Sequence, residues 1–168
     1  MLPPLSDKLL LKYTPNYCEE NIYFLCKEFS SIVNTLDNNN KFNVFACFIS
    51  NEHKAVPFLK QRLAKDPDQF VVWTYVSEAL AHVIEKRYQR YYRIVPLETF
   101  LKVFASDRSH MKKEDNTWIA PPPDYPPISN KESKMNLQNF ISMSESENLK
   151  YGTILDEQQF KEFCDLTQ

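Results

Sequence analysis

Glycine is nearly missing from this chain. Gly152 is the single one among 168 residues, where an average usage of about 7% would supply roughly a dozen. That scarcity excludes the Walker phosphate loop, the G-x-G-x-x-G dinucleotide turn, the EF-hand loop and the G-x-S-x-G nucleophile elbow, all of which need glycines. An excess of one charge is missing too. Twenty Lys and Arg stand against 22 Asp and Glu, a net charge of −2, so no nucleic-acid partner is expected. Cysteine is sparse: Cys18, Cys26, Cys47 and Cys164 form no C-x-x-C pair, which argues against a zinc site or a dithiol redox motif. Neither a metal nor another cofactor is expected. The apolar run Leu9-Leu10-Leu11 between lysines is too short for a signal-peptide core or a membrane span. No membrane partner is expected, and free thiols fit a reducing compartment, the cytosol with the nucleus as a second location.

Aromatic residues, by contrast, are abundant. Twelve Phe, nine Tyr and two Trp, within 43% hydrophobic residues overall, supply the apolar surface for one core. The length suits a single domain spanning 1–168, expected to act as a monomer. Apolar residues at Ile22, Leu25, Cys26, Phe29, Ile32, Val33 and Leu36 predict an amphipathic helix over about 17–36. Asn16 is its expected N-cap, with Glu19 completing a capping box. Phe42 to Ser50 reads as a central strand buried on both faces. A turn at 51–54 leads to a second strand at 55–59, held at an edge by Pro57, and residues 69–73 form a third. A helix is expected over 75–92 and another over 97–104. The basic run Lys86, Arg87, Arg90 and Arg93, interleaved with Tyr88, Tyr91 and Tyr92, reads as a solvated helix face. Five prolines between Trp118 and Ile128 force an extended connector. A last helix starts near Asp156, with Gln159 three residues on. The class is α+β: helices on a small, mostly antiparallel sheet.

Cys18 stands apart from the other thiols. It falls in the first turn of the first helix and off its apolar stripe, whereas Cys26, Cys47 and Cys164 read as small buried hydrophobes. Unpaired amides and the helix dipole at that end favour an anion, so the thiol is expected to ionise more readily. The competing reading is a capping position that happens to carry sulfur. A thiol nucleophile also needs a base and an acid. His53 lies in a turn, His82 on a polar helix side and His110 in a loop with Asp107 nearby. Spacing selects none of them.

Tyr17-Cys18-Glu19-Glu20-Asn21-Ile22 resembles the Y-C-E-E-N opening of the protein N-terminal glutamine amidohydrolases. The resemblance continues through Phe48-Ile49-Ser50-Asn51-Glu52, Val72-Trp73 and the octapeptide Phe104-Ala105-Ser106-Asp107-Arg108-Ser109-His110-Met111. Further blocks follow at 121–126, 133–137 and 140–143. The resemblance implies a fold like the papain and transglutaminase thiol hydrolases, with a Cys-His-Asp triad in which Cys18 is the nucleophile. The reaction it implies converts an amino-terminal Gln of a protein or peptide to Glu and releases ammonia, making the product readable by the arginylation branch of the N-degron pathway. Ser106, Asp107, Arg108 and His110 are candidates for shaping the substrate site; a loop-stabilising salt bridge is an equal reading for the first three.

One departure stands out. In the family the triad His follows the strand in a W-D-Y-H-V segment and the Asp lies in a Y-D-L-D segment. Here Trp73 runs directly into Thr74-Tyr75-Val76, and no position matches either residue. The pattern is that of an internal deletion near 73–75, from a splice variant or an incomplete gene model. The alternative to the enzyme is therefore an impaired variant that at most binds amino-terminal peptides.

Overall fold

The computed structural model describes residues 13–33, 43–58, 71–74, 89–144 and 149–166. Among them the chain is α+β. Helix α1 spans Cys18–Val33, followed by strands β1 (Phe45–Ser50), β2 (Ala55–Phe58), β3 (Val71–Thr74) and β4 (Tyr91–Pro96). Helix α2 (Leu97–Val103), α3 (Leu137–Ile141), strand β5 (Thr153–Leu155) and helix α4 (Glu157–Leu166) complete the order, with 3₁₀ turns at Ser109–Met111 and Leu149–Tyr151. One sheet has the order β1-β4-β5 and a second pairs β2 with β3. β4 and β5 run antiparallel with Arg93 opposite Ile154, and β2 and β3 antiparallel with Val56 opposite Trp73. The chain divides into two compact units, residues 1–46 with 95–137, and residues 47–94 with 138–168.

In the first unit α1 and α2 pack through rings. Tyr23 meets Phe100 and Phe104 at centroid distances of 6.0 and 5.8 Å, and Phe24 meets Tyr125 edge-on at 4.7 Å. Phe100 and Phe104 are fully buried, and the α2 range matches its sequence pattern. Loop 104–136 is stitched back onto α2: Asn136 Oδ1 accepts from Ala105 N at 2.8 Å and its Nδ2 donates to Val103 O at 2.7 Å. Ser106 N donates to Ile128 O at 2.8 Å. Loop residues thereby acquire partners that a helix or sheet would otherwise supply.

In the second unit the turn at 51–54 forms as expected, with Lys54 N donating to Asn51 O. Tyr92 of β4 stacks on Phe160 of α4 with centroids 4.1 Å apart. The start of α4 is a full capping box. Asp156 Oδ1 accepts from Gln159 N at 2.8 Å, and Gln159 Oε1 accepts from Asp156 N at 3.0 Å, as the sequence spacing anticipated.

Four expectations are corrected. Tyr91 and Tyr92, assigned by periodicity to the end of a helix, lie in β4, and Arg93 is 1% exposed rather than on a solvated face. The remainder of that expected helix, with His82, lies outside the described residues. β1 is not buried on both faces: Cys47 and Ile49 are exposed while Ala46 and Ser50 are buried, the alternation of a strand with one face covered. Ile22 is exposed, because α1 turns Tyr23, Phe24 and Cys26 inward instead. Finally, Asn16 is not the N-cap. It has φ 69°, and the carbonyl of Tyr17 accepts the first helical bond, from Asn21 N at 2.9 Å. Asparagine tolerates that left-handed backbone better than most side chains. The lone glycine, Gly152, is likewise spent where φ is 90°.

Candidate active site

The start of α1 is fixed by the residues on either side of Cys18. Tyr17 is fully buried, packs with Met111 and Ala120, and donates its hydroxyl to Ala120 O at 3.2 Å. Asn21 clasps the approach to the helix from the other side: its Nδ2 donates to Thr14 O and its Oδ1 accepts from Thr14 N, both at 2.8 Å. Cys18 is the first residue of α1 and is exposed, as anticipated.

Its ionisation runs against expectation. Burial around the sulfur pushes the Cys18 thiol up, the Glu19 carboxylate pushes it further, and the bond with its own backbone offsets them only in part. The Glu19 carboxylate in the first turn puts negative charge where the dipole alone would favour a thiolate. Cys26 is buried and its thiol is pushed up to about 11 by burial. Cys47, though exposed as a residue, is also pushed up to about 11, by desolvation of the sulfur and by Cys164.

The octapeptide docks on this turn. Arg108 reaches Glu20 with two parallel bonds, Nε to Oε1 and Nη2 to Oε2, each 2.9 Å, with side-chain exposures of 5% and 0%. Its guanidinium lies 4.9 Å from the Tyr125 ring centroid and 5.9 Å from that of Tyr17. The Glu20 hydrogen bonds hold the Arg108 guanidinium charged, raising its affinity for the proton against the effect of burial. Arg108 has φ 65°, a left-handed backbone that costs a non-glycine residue on the order of 1 kcal/mol and is over-determined here by the ion pair.

His110 sits in the following 3₁₀ turn, with Nε2 3.1 Å from Glu19 Oε1 and both side chains about nine-tenths buried. Asp107 does not hydrogen-bond to it. Its carboxylate accepts from Ser109 N at 2.9 Å; burial works upward on this carboxyl but is outweighed by the Ser109 donors and His110, leaving it below the ordinary range. Ser106 is fully buried with its hydroxyl unbonded. The structure thus brings Cys18, Arg108 and His110 around one helical turn and leaves Asp107 as a local loop brace. His53 lies in the exposed turn of the other unit. Glu19 and Glu20, read from sequence only as a cap and a motif letter, are the partners that the octapeptide engages. Among the described residues no three His, Cys, Asp or Glu side chains converge as a metal site requires.

The sequence model of the N-terminal glutamine amidase family matches residues 13–81 and 74–164. The chain belongs to that family. Proteins called protein N-terminal glutamine amidohydrolase are similar over most of its length. The Drosophila melanogaster protein is 30% identical, covering 86% of this chain and 83% of its own length. The Arabidopsis thaliana protein is 33% identical over 88% and 82%, and the Danio rerio protein 35% identical over 78% and 79%. The Drosophila alignment has 177 positions, yet 86% of 168 residues is about 144, so about 33 positions have no residue in this chain. In the Arabidopsis and Danio alignments about 35 and 34 positions have no residue in this chain. The two family matches overlap at 74–81.

Proposed function

We propose that this chain is built to deamidate an amino-terminal Gln on proteins and peptides, with Cys18 as nucleophile. The carrying observation is the placement of Cys18: an exposed thiol at the first position of α1, between the anchored Tyr17 and the glutamates that Arg108 and His110 engage. Family membership supplies the substrate class. The Cys18 thiolate would add to the side-chain amide carbon of Gln. The tetrahedral adduct would expel ammonia once the nitrogen is protonated, and water would then cleave the thioester to release Glu and regenerate the thiol. That product would pass to arginylation in the N-degron pathway, in the cytosol or nucleus, and the chain would work as a monomer.

The chain is also proposed to lack the segment that supplies its acid and base. Three relatives align with about 33–35 positions unfilled here, and the family matches meet around Thr74, where sequence reading finds neither triad partner. Among the described residues, the charged group acting on the Cys18 thiol is the carboxylate of Glu19, which disfavours the thiolate. A misplaced or missing acid–base group costs about 10²–10⁴ in rate. The second reading, a peptide-binding module without turnover, draws on the same observation.

Ammonia release from a Gln-initiated peptide, compared with its acetylated form, tests both parts. The chain as it stands should be slow. Inserting the family's segment between Trp73 and Thr74 should raise the rate by two or more orders of magnitude, roughly the worth of a positioned acid–base group. A repaired chain that stays inactive would sink the amidohydrolase reading; full turnover without repair would sink the missing-segment reading.

A further inference from the structure

An enzyme that acts only on amino-terminal Gln must tell a free α-ammonium from an acylated nitrogen. That calls for an anion near Cys18. Two carboxylates follow it in the first turn, and they are not equivalent. Glu20 is fully buried, with both oxygens accepting from Arg108 at 2.9 Å. Asp107 accepts from Ser109. Glu19 is different. Its Oε1 lies 3.1 Å from His110 Nε2 but is not aligned for a hydrogen bond, and it makes no other; His110 Nδ1 makes none either. A buried carboxylate oxygen with unused acceptor capacity is uncommon and calls for a partner.

Resting on the N-terminal glutamine reading, we propose that Glu19, steadied by His110, receives the substrate's α-ammonium beside Cys18. In an extended Gln the α-nitrogen and the amide carbon are roughly 5 Å apart, a span that consecutive residues of one helical turn can bracket. Charge supports the pairing. Among the described residues, His110 from the 3₁₀ turn and the buried Tyr17 phenol interact with Glu19, while the next carboxylate, Glu20, is neutralised by Arg108. Beyond them, His110 is among the groups that lower the Asp107 carboxyl. Burial raises the Cys18 thiol first, and the Glu19 carboxylate is the charge among the described residues that raises it further. An ammonium seated on Glu19 would cancel that field, so arrival of a free amino terminus would itself favour the thiolate. Recognition and activation become one event.

Binding to a C18A chain, which cannot turn the peptide over, separates the claims. C18A should bind a Gln-initiated peptide about tenfold or more tightly than its acetylated form, the scale of one charge-assisted contact. C18A/E19Q should lose that preference, and C18A/E19D, with the charge set back by a methylene, should keep part of it. In the free chain with Cys18 intact, E19Q should lower the pH at which Cys18 ionises, read from ultraviolet thiolate absorbance with the C18A chain subtracted. A preference that survives in both E19Q and E19D, or an unmoved Cys18 titration, overturns the assignment to Glu19. A C18A chain that prefers neither peptide fails at the earlier step: it overturns the N-terminal glutamine reading, and this inference with it.

Discussion

Glu20 and Arg108 are 88 positions apart in sequence and joined by two 2.9 Å hydrogen bonds with almost no exposure. The pair fastens the turn that begins with Cys18 to the octapeptide loop, and Arg108 is held between the Tyr17 and Tyr125 rings. Its value lies in geometry more than in net stability, since two buried charges repay little beyond their own desolvation.

Removing one member should therefore be far worse than removing both. Arg108→Met leaves the Glu20 carboxylate buried without its partner and should cost about 3–5 kcal/mol. The double variant E20M/R108M should recover most of that loss, because apolar side chains of similar reach fill the space. Urea unfolding of the single and double variants measures the difference. Equal destabilisation by both would mean that the packing around Tyr17 and Tyr125, and not the ion pair, carries the effect.

Arg93 should be the most sensitive position in the other unit. Its guanidinium donates to the carbonyls of Phe140 at 3.1 Å and Ser142 at 2.6 Å, with Tyr151 and Gly152 at 3.5 and 3.4 Å. Burial lowers its hold on the proton, and the carbonyls that compensate belong to the end of α3 and the turn before β5. Arg93→Met strands those acceptors and should cost about 3 kcal/mol or more. Arg93→Lys should rescue little, because a single ammonium cannot span the planar fork. Thermal unfolding of both variants checks this, and near-native stability of R93K would refute it.

These two arginines mark what the sequence conceals. Local patterns were legible: the stripe of α1, the reach of α2, the turn at 51–54 and the Asp156–Gln159 box all depend on residues within a few positions of one another. Arg93 was misread because charges and tyrosines at close spacing look like a helix face, whereas it lies in a strand between β1 and β5 and its side-chain acceptors are Phe140, Ser142, Tyr151 and Gly152. The Glu20–Arg108 contact has no local signature at all. Only the shared occurrence of both residues in family motifs hinted at a link. The N-cap was missed for a related reason: Asn16 has the better capping side chain, but its backbone is left-handed, and the carbonyl of Tyr17, a residue anchored to Ala120 103 positions away, accepts the first helical bond. Cys18 could be singled out by position, yet its ionisation is set by burial around the sulfur and then by the Glu19 carboxylate, neither of which position alone reveals.

Thiol labelling should follow that electrostatic order. With the Cys47 thiol pushed up to about 11, only about one part in a thousand is thiolate at pH 8, and Cys26 is both as weakly acidic and buried. Cys18 should be alkylated ahead of both by limiting iodoacetamide, with a rate that climbs steeply above neutral pH because its own thiol is also held up. Peptide mapping by mass spectrometry ranks the sites. Faster labelling of Cys47 than of Cys18 would contradict the placement of the sulfur atoms.

Cys26 also gives the chain an alkaline limit. Its thiol, ordinarily ionising near 9.0, is pushed up to about 11 by burial in α1. The unfolded chain would lose this proton first as pH rises, so deprotonation favours unfolding over the interval between those values. Stability attributable to Cys26 is complete below about pH 9 and falls away toward pH 11, by at most about 2.7 kcal/mol. Cys26→Val keeps the volume near native and removes the titration. Its free energy of unfolding should decline less than that of the natural chain between pH 9 and 11, whatever other groups titrate in both. Parallel curves for the two chains would show that the Cys26 proton is not linked to folding.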